Sequence, residues 1–485
     1  MTAVTANCGS LPVRDVPVYS REGFAQEVLG AVAEGARVSA FFACPMPDGK
    51  RLFAVLAHPS RGQLALFSTI PDGAMPSLTP ECPSVHLFER EVRERDGVEF
   101  QGHPWMKAVR REPEGAGTGF FRVEGPEVHQ VAVGPVHAGI IEPGHFRFQC
   151  HGETVFHLEI ALGYQHRGVE NALEGPPDLK KVAVTETIAG DATAGHATCF
   201  CSALEALCET DVPARAQVLR GVALELERMA NHIGDLGALA GDIGFLPTMS
   251  FCGRIRGDVL NITAQLCGNR FGRGLIRPGG TGMDIDTDTA LEMARRLRAA
   301  LRDAGEAASL LLETPSVLSR FEGIGTVSRE MAGRIGLVGP AARASGLEMD
   351  ARHDFPSGIY RMSHIPMSVW DSGDVFSRAI VRWMEVQRSA AFILEQLSGL
   401  PGGGVQARSG PAMCDSISVS LTETWRGEAC HVLITDSRGF IRRASVVDPS
   451  FHNWFGLACA LRGQQVSDFP LCNKSFNLSY CGHDL

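Results

Sequence analysis

The sequence contains no run of about 18 consecutive apolar residues, so no helix of this chain is expected to span a bilayer. It has no Lys/Arg-rich run and a formal net charge of −10, which argues against a nucleic-acid-binding protein. Met1 to Ser20 has no basic region followed by an apolar stretch, so a secretory leader is not expected. There is no internal repeat and no low-complexity tract. No CxxC occurs among the fourteen cysteines, although Cys199 and Cys201 form a CxC and Cys208 follows them. Without an export signal the cysteines read as free thiols, most of them small buried hydrophobes with no recognised ligand spacing.

What is present is a globular composition over 485 residues, 44% hydrophobic and 21% charged, enough for a large core. Residues 1–110 read as a small α/β unit. Phe24, Val28, Leu29 and Val32 sit at helical spacing within Ser20–Ala33, and 38–42, 51–57 and 63–67 read as strands. Residues 111–130 read as a linker, glycine-rich and charged over Arg111–Gly119. From Val131 to Leu485 the pattern is mainly helical. Asp211 is placed as an N-cap with Pro213 in the first turn, and Leu219, Val222, Leu226, Met229, Ile233 and Leu236 form one apolar stripe. Residues 288–312 and 374–397 read as long helices, and 416–421, 429–436 and 442–447 as strands. The fold class is α+β: a small N-terminal α/β domain, then a mainly helical domain over 131–485 with a helix-bundle core and small sheets.

Chemistry-bearing residues concentrate between Gly134 and Glu170. GPVHAGIIEPGHFRF and LGYQHRGVE place His137, Glu142, His145, Arg147, His166, Arg167 and Glu170 among apolar residues. Taken singly, each reads as a surface or salt-bridged group; together they suggest a partly buried, mutually paired network.

These two segments resemble the N-terminal signature of the large subunit of membrane-bound, energy-converting nickel–iron hydrogenases of the formate hydrogenlyase type. They are also similar, more distantly, to the quinone-site subunit of respiratory complex I. The resemblance continues through LELERMANHIGDLG (224–237), GLIRPGG (274–280), DARHDFP (350–356), WRGE (425–428) and LRGQQVSDFP (461–470). HLFEREVRERDGVEFQGHPW (86–105) is similar to the end of the small hydrophilic subunit of complex I, which such hydrogenases commonly carry fused in front.

The resemblance implies four thiolates from two CxxC motifs around one nickel–iron centre, a donor set that suits soft metals. Here the first motif would fall at Ala189 and Ala192, and the second at Ser479 and Gly482, with Cys481 one residue out of register. Asp191 and His196 lie beside the first of these. An alternative site built from Asp191, Cys199, Cys201 and Cys481 has no recognised spacing. Nickel-bearing members also carry a tail beyond the second motif, and only three residues follow Gly482, as expected of a chain without the metal. The quinone-site tyrosine of complex I would fall near Gly190 and its loop histidine near Glu142–Pro143, so quinone binding does not carry over residue by residue.

The implied function is a subunit of a complex I-like (NADH-quinone oxidoreductase) or hydrogenase-related assembly. Electron transfer in that NAD- and quinone-binding assembly would be coupled to ion translocation, with quinone as one candidate acceptor and the donor left open. The chain itself would bind no cofactor. Iron–sulfur clusters would sit in a small partner subunit and ion movement in membrane subunits. The chain would lie peripherally on the cytoplasmic side of the inner membrane. Glu142, His137, His166, Arg167, Asp191 and His196 are the expected catalytic residues, with Glu142 as a proton relay. The competing readings are a non-catalytic scaffold and a divergent metalloenzyme with other ligands.

Overall fold

Ser20 closes the first turn of helix α1 (Arg21–Ala33) by accepting from the Gly23 amide at 3.0 Å, as its hydroxyl at an N-cap allows. Around this helix the computed structural model, which describes residues 3–110, 119–139 and 141–485, builds a five-stranded sheet. Its strands are β1 (Ala3–Thr5), β3 (Val18–Tyr19), β4 (Arg37–Met46), β5 (Gly49–His58) and β6 (Gln63–Thr69). The short strand β2 (Gly9–Pro12) leaves this sheet. It pairs with a strand more than 400 residues away, Leu11 opposite Ile417 and Ser10 opposite Ser418. Helix α2 (His86–Asp96) covers the first sheet.

The region from Val131 opens with strands where helix was expected. A three-stranded antiparallel sheet, β7 (Val128–Val133), β8 (His145–His151) and β9 (Thr154–Ala161), carries much of the polar motif. The physical cause is a period of two: Phe146, Phe148 and Cys150 alternate inward and are buried. Strand β7 also begins inside the expected 111–130 linker, of which residues 111–118 lie outside the described ones.

Helices follow: α3 (Thr193–Leu207), α4 (Ala214–Asp242), α5 (Leu246–Cys267), α6 (Thr287–Leu312) and α7 (Val375–Ser398). Helices α4 to α7 pack as a bundle, and every residue of the apolar stripe on α4 is buried. Pro213 caps α4, not Asp211: the helix begins at Ala214, so Asp211 lies upstream of the cap and stays exposed. Asp286 and Asp374 cap α6 and α7 through their carboxylates. Among the described residues no helix is long and apolar enough to cross a membrane.

The last sheet is β10 (Ser416–Thr424), β11 (Gly427–Thr435) and β12 (Ile441–Val447), with β2 on the outer side of β10. Helix α8 (Pro449–Ala460) follows it. One apolar core joins Phe24, Phe41 and Phe53 of the N-terminal sheet to Ile417, Val419, Leu421 and Phe451. A buried ionic lattice ties this sheet to the bundle. Arg343 donates to Glu385 at 2.6 Å and to Glu423 at 2.8 Å, and Arg228 donates to Glu225 at 3.0 Å. Such charges hold only when all are paired.

Candidate functional site

Two backbone segments that lie far apart in sequence meet between α3 and α8. The first, Thr187–Ala192, runs into α3. Alanine at its N-cap offers no side-chain acceptor. Glu227 of α4 supplies one from outside, accepting from the Ala194 and Gly195 amides at 2.7 and 3.1 Å. Burial pushes this carboxyl up to about 8, while the two amide bonds pull the other way. The second segment, Asn477–Gly482, turns through Asn477 in the left-handed region, φ 44°. The Ser479 hydroxyl then caps the short helix after it, accepting from Gly482 N at 2.9 Å.

Ala189, Ala192 and Trp425 form one buried apolar cluster with Cys481 packed against it. Arg167 clamps the two segments: it donates to the carbonyls of Thr187 at 2.6 Å, Ile188 at 3.0 Å and Cys481 at 3.1 Å. Arg426 makes a second clamp. It holds both oxygens of Asp191 at 2.6 and 2.8 Å, donates to Asn477 O at 2.6 Å, and stacks over Trp425 at 3.9 Å. The Trp425 indole N–H donates to Asp191 O at 2.9 Å.

Of the expected site residues, Glu142, Arg167, Asp191 and His196 do surround this meeting point. Glu142 accepts from Tyr480 N at 3.2 Å and lies beside the Cys481 thiol, which burial and then the Glu142 charge push up to about 12. His196 is fully buried; its Nε2 donates to Asp448 at 2.9 Å and its Nδ1 meets His431 at 3.1 Å. Despite burial, the His196 hydrogen bond holds Asp448 below the usual carboxylate range. His137 and His166 stand one step back, donating to Gly144 O at 2.9 Å and Asp484 O at 2.8 Å. They brace the backbone on which Glu142 and the 479–482 turn are carried.

The seven polar residues of the motif do not form a network with one another. Glu142 pairs with neither Arg147 nor Arg167; Arg147 donates to Gln130, and Glu170 accepts from Val446 N and pairs with Arg95. Each is tied instead to distant backbone or to another element. Trp425, Arg426, Asp448, His431 and Glu227 were missed as site residues. WRGE was visible as a motif, but only the fold brings its Trp425 and Arg426 onto Asp191.

The donors present do not suit a soft-metal centre. Ala189 and Ala192 present methyl groups to an indole, Ser479 spends its hydroxyl as a cap, and a Cβ at Gly482 would come within 2.7 Å of the Asp448 carboxyl. Cys199 donates to Ser420 O at 3.1 Å, and Asp191 is committed to Arg426. Among the described residues no group of three or more His, Cys, Asp or Glu is placed to hold a metal ion.

Comparison with known proteins adds the following. Residues 242–416 match the family model described as "Respiratory-chain NADH dehydrogenase, 49 Kd subunit", and residues 33–117 match its 30 Kd counterpart. The carbon monoxide-induced hydrogenase of Rhodospirillum rubrum is 32% identical over 352 residues, 72% of this chain and 97% of that protein. Formate hydrogenlyase subunit 5 of Escherichia coli (strain K12) is 30% identical over 84% of this chain and 76% of its own length. NADH-quinone oxidoreductase subunit 4 of Thermus thermophilus is 28% identical over 70% of this chain and 90% of its own.

Proposed function

The chain belongs to the family that unites the 49 Kd subunit of respiratory-chain NADH dehydrogenase with the large subunits of membrane-bound hydrogenases, here with a 30 Kd-type segment fused in front, and we propose that it serves as the joined hydrophilic subunit of such a membrane oxidoreductase without a nickel–iron centre of its own. An iron–sulfur small subunit docks against it and passes electrons. Membrane subunits couple that flow to ion translocation, and the chain sits peripherally on the cytoplasmic side. The observation that carries the reading is the meeting of 189–192 with 479–482. There a family-like polar shell of Glu142, Arg167, Asp191 and His196 surrounds alanine, serine and glycine instead of thiolates.

The chain's own residues then orient backbone and hold protons. Arg167 and Arg426 fix the two segments, and Glu142 sits where it can exchange a proton with groups near Tyr480 and Cys481. A quinone headgroup in this place requires Trp425 to move, since the indole packs on Ala189 and Ala192. That packing favours a second reading, a scaffold subunit whose cleft is filled by its own side chain. Purification of the native complex with identification of its subunits and redox centres tests both. An iron–sulfur subunit with membrane subunits and no nickel supports the first reading. A chain isolated with no redox partner supports the scaffold, and about one nickel per chain overturns both.

A further inference from the structure

Strand β10 reads SISVSLTET, and every one of its residues is buried. Ser416, Ser418, Ser420, Thr422 and Thr424 occupy alternate positions, so their five hydroxyls share one face. His431 of β11 lies opposite Ser420 and reaches His196 of α3, which identifies that face as the one α3 covers. The other face carries Ile417, Val419 and Leu421 into the shared apolar core. A strand buried under a helix ordinarily offers β-branched apolar side chains there.

Small side chains do permit close approach: a Cβ on Gly195 would come within 2.7 Å of Thr424 Cγ2. Close approach does not account for polar atoms left without partners. His431 Nδ1, Ser418 Oγ and Thr198 Oγ1 are buried and make no hydrogen bond among the described residues. His431 and Ser418 are 0% exposed. An unpaired buried polar group is costly, and ordered water is the usual remedy.

The tautomers follow from the contacts. His196 Nε2–H donates to Asp448, so with a single proton on that ring its Nδ1 is an acceptor. The 3.1 Å contact then makes His431 Nε2 the donor and leaves His431 Nδ1 a lone pair that no protein group meets. Burial pushes the His431 imidazole well below its ordinary range. Towards solvent, Ser420 Oγ lies 3.5 Å from Cys8 Sγ. Cys8, Thr198 and Thr422 line a cavity of about 310 Å³ whose wall includes Glu205, Glu209 and Asp211.

We propose that the seam between α3 and β10 holds a file of buried water that conducts protons between this cavity and the Asp448 end of the candidate site, with His431 and His196 as the relaying rings. A proton taken from water at His431 Nδ1 releases the Nε2 proton to His196 Nδ1. His196 gives its own Nε2 proton to Asp448. Each ring gains one proton and loses one, and no electron moves. The path needs this chain alone and is independent of which redox partner docks.

Two measurements on the whole chain test it. A crystal structure fine enough to place water is expected to show ordered water within hydrogen-bond reach of His431 Nδ1 and Thr198 Oγ1. A dry seam there overturns the proposal. In the 15N-histidine-labelled protein, solvent exchange of the proton between His196 and Asp448 is followed by NMR. Thr198→Val with Ser418→Ala removes two hydroxyls without adding bulk, and exchange is expected to slow by about tenfold or more. Ile417→Val on the opposite face is expected to leave the rate unchanged. An unaltered rate in the hydroxyl variant overturns the proposal, and if that variant fails to fold, the single Ser418→Ala and the water positions decide.

Discussion

Replacing Asp191 by asparagine isolates the clamp that holds the site together. Arg426 is nearly buried, with a side chain 5% exposed, and gives two charge-assisted bonds to Asp191, whose side chain is 35% exposed. Removing one partner of a fully buried pair costs about 3–5 kcal/mol. Solvent reaches the Asp191 end, so about half of that, ~2 kcal/mol, is expected here. Arg426 retains its bond to Asn477 O and its stacking on Trp425, which limits the loss. A loss of ~2 kcal/mol speeds native-state amide exchange by about thirtyfold where local opening governs it. The assay is hydrogen–deuterium exchange of a peptide spanning 188–198, where Ala192 N donates to Ala189 O and His196 N to Ala192 O. Arg426→Met in the Asp191→Asn background is expected to recover part of the loss, because no charge is then stranded. Exchange at the wild-type rate in Asp191→Asn would refute the claim that this pair fixes the first segment.

Three further outcomes are expected. A variant with cysteine at Ala189, Ala192, Ser479 and Gly482 will take up no nickel by elemental analysis while Trp425 remains, because the indole fills the space and Gly482 abuts Asp448; stoichiometric nickel would show the cleft to be open. Glu142→Gln will assemble normally, since Glu142 meets Tyr480 N rather than an arginine, while coupled turnover of the complex falls by about a hundredfold if Glu142 relays protons; turnover at the wild-type rate removes it from the path. Burial and the Asp350 charge push Glu423 up to about 7, from an ordinary 4.5. Although Arg343 and the Ala351 amide bond Glu423, burial outweighs them, so the fold favours the protonated form more than water does. Stability is therefore full below about 4.5 and lost as pH rises through about 7, and Glu423→Gln should flatten that fall in thermal melts. Asp350 does not blur this window: despite burial, Arg352 and Arg343 pull it down to about 2.

Much of the architecture was legible in local pattern. The helix after Ser20, the long helices ending near Leu312 and Leu397, and the three closing strands follow from apolar spacing and acidic or hydroxyl caps. The sheet β7 to β9 was obscured because its inward residues, Phe146 and Phe148, alternate with the histidines and arginines that drew notice as a motif. The exchange of β2 into the last sheet could not be read at all, since nothing local to Gly9–Pro12 encodes a partner more than 400 residues on. The site was half legible. Glu142, Arg167, Asp191 and His196 stand in recognisable motifs, whereas Asp448 and His431 are joined to His196 only by tertiary contact.

A shell of charged residues around alanine, serine and glycine does not by itself argue for chemistry. Arg167 holds three carbonyls, Arg426 holds Asp191 and Asn477 O, and Glu227 caps a helix whose own N-cap is alanine. Each ties together segments far apart in sequence, so each would carry a structural cost to delete even in a scaffold. Residues whose bonds are complete are thus accounted for by stability alone. The discriminating groups are those the fold buries without completing. Neither His431 Nδ1 nor Ser418 Oγ has a protein partner to offset its burial among the described residues, and alanine at Ser418 would carry no such penalty. The presence of His431 Nδ1 and Ser418 Oγ under α3, between Asp448 and a cavity lined by both acids and arginines, is where a transport role and a purely structural role part company.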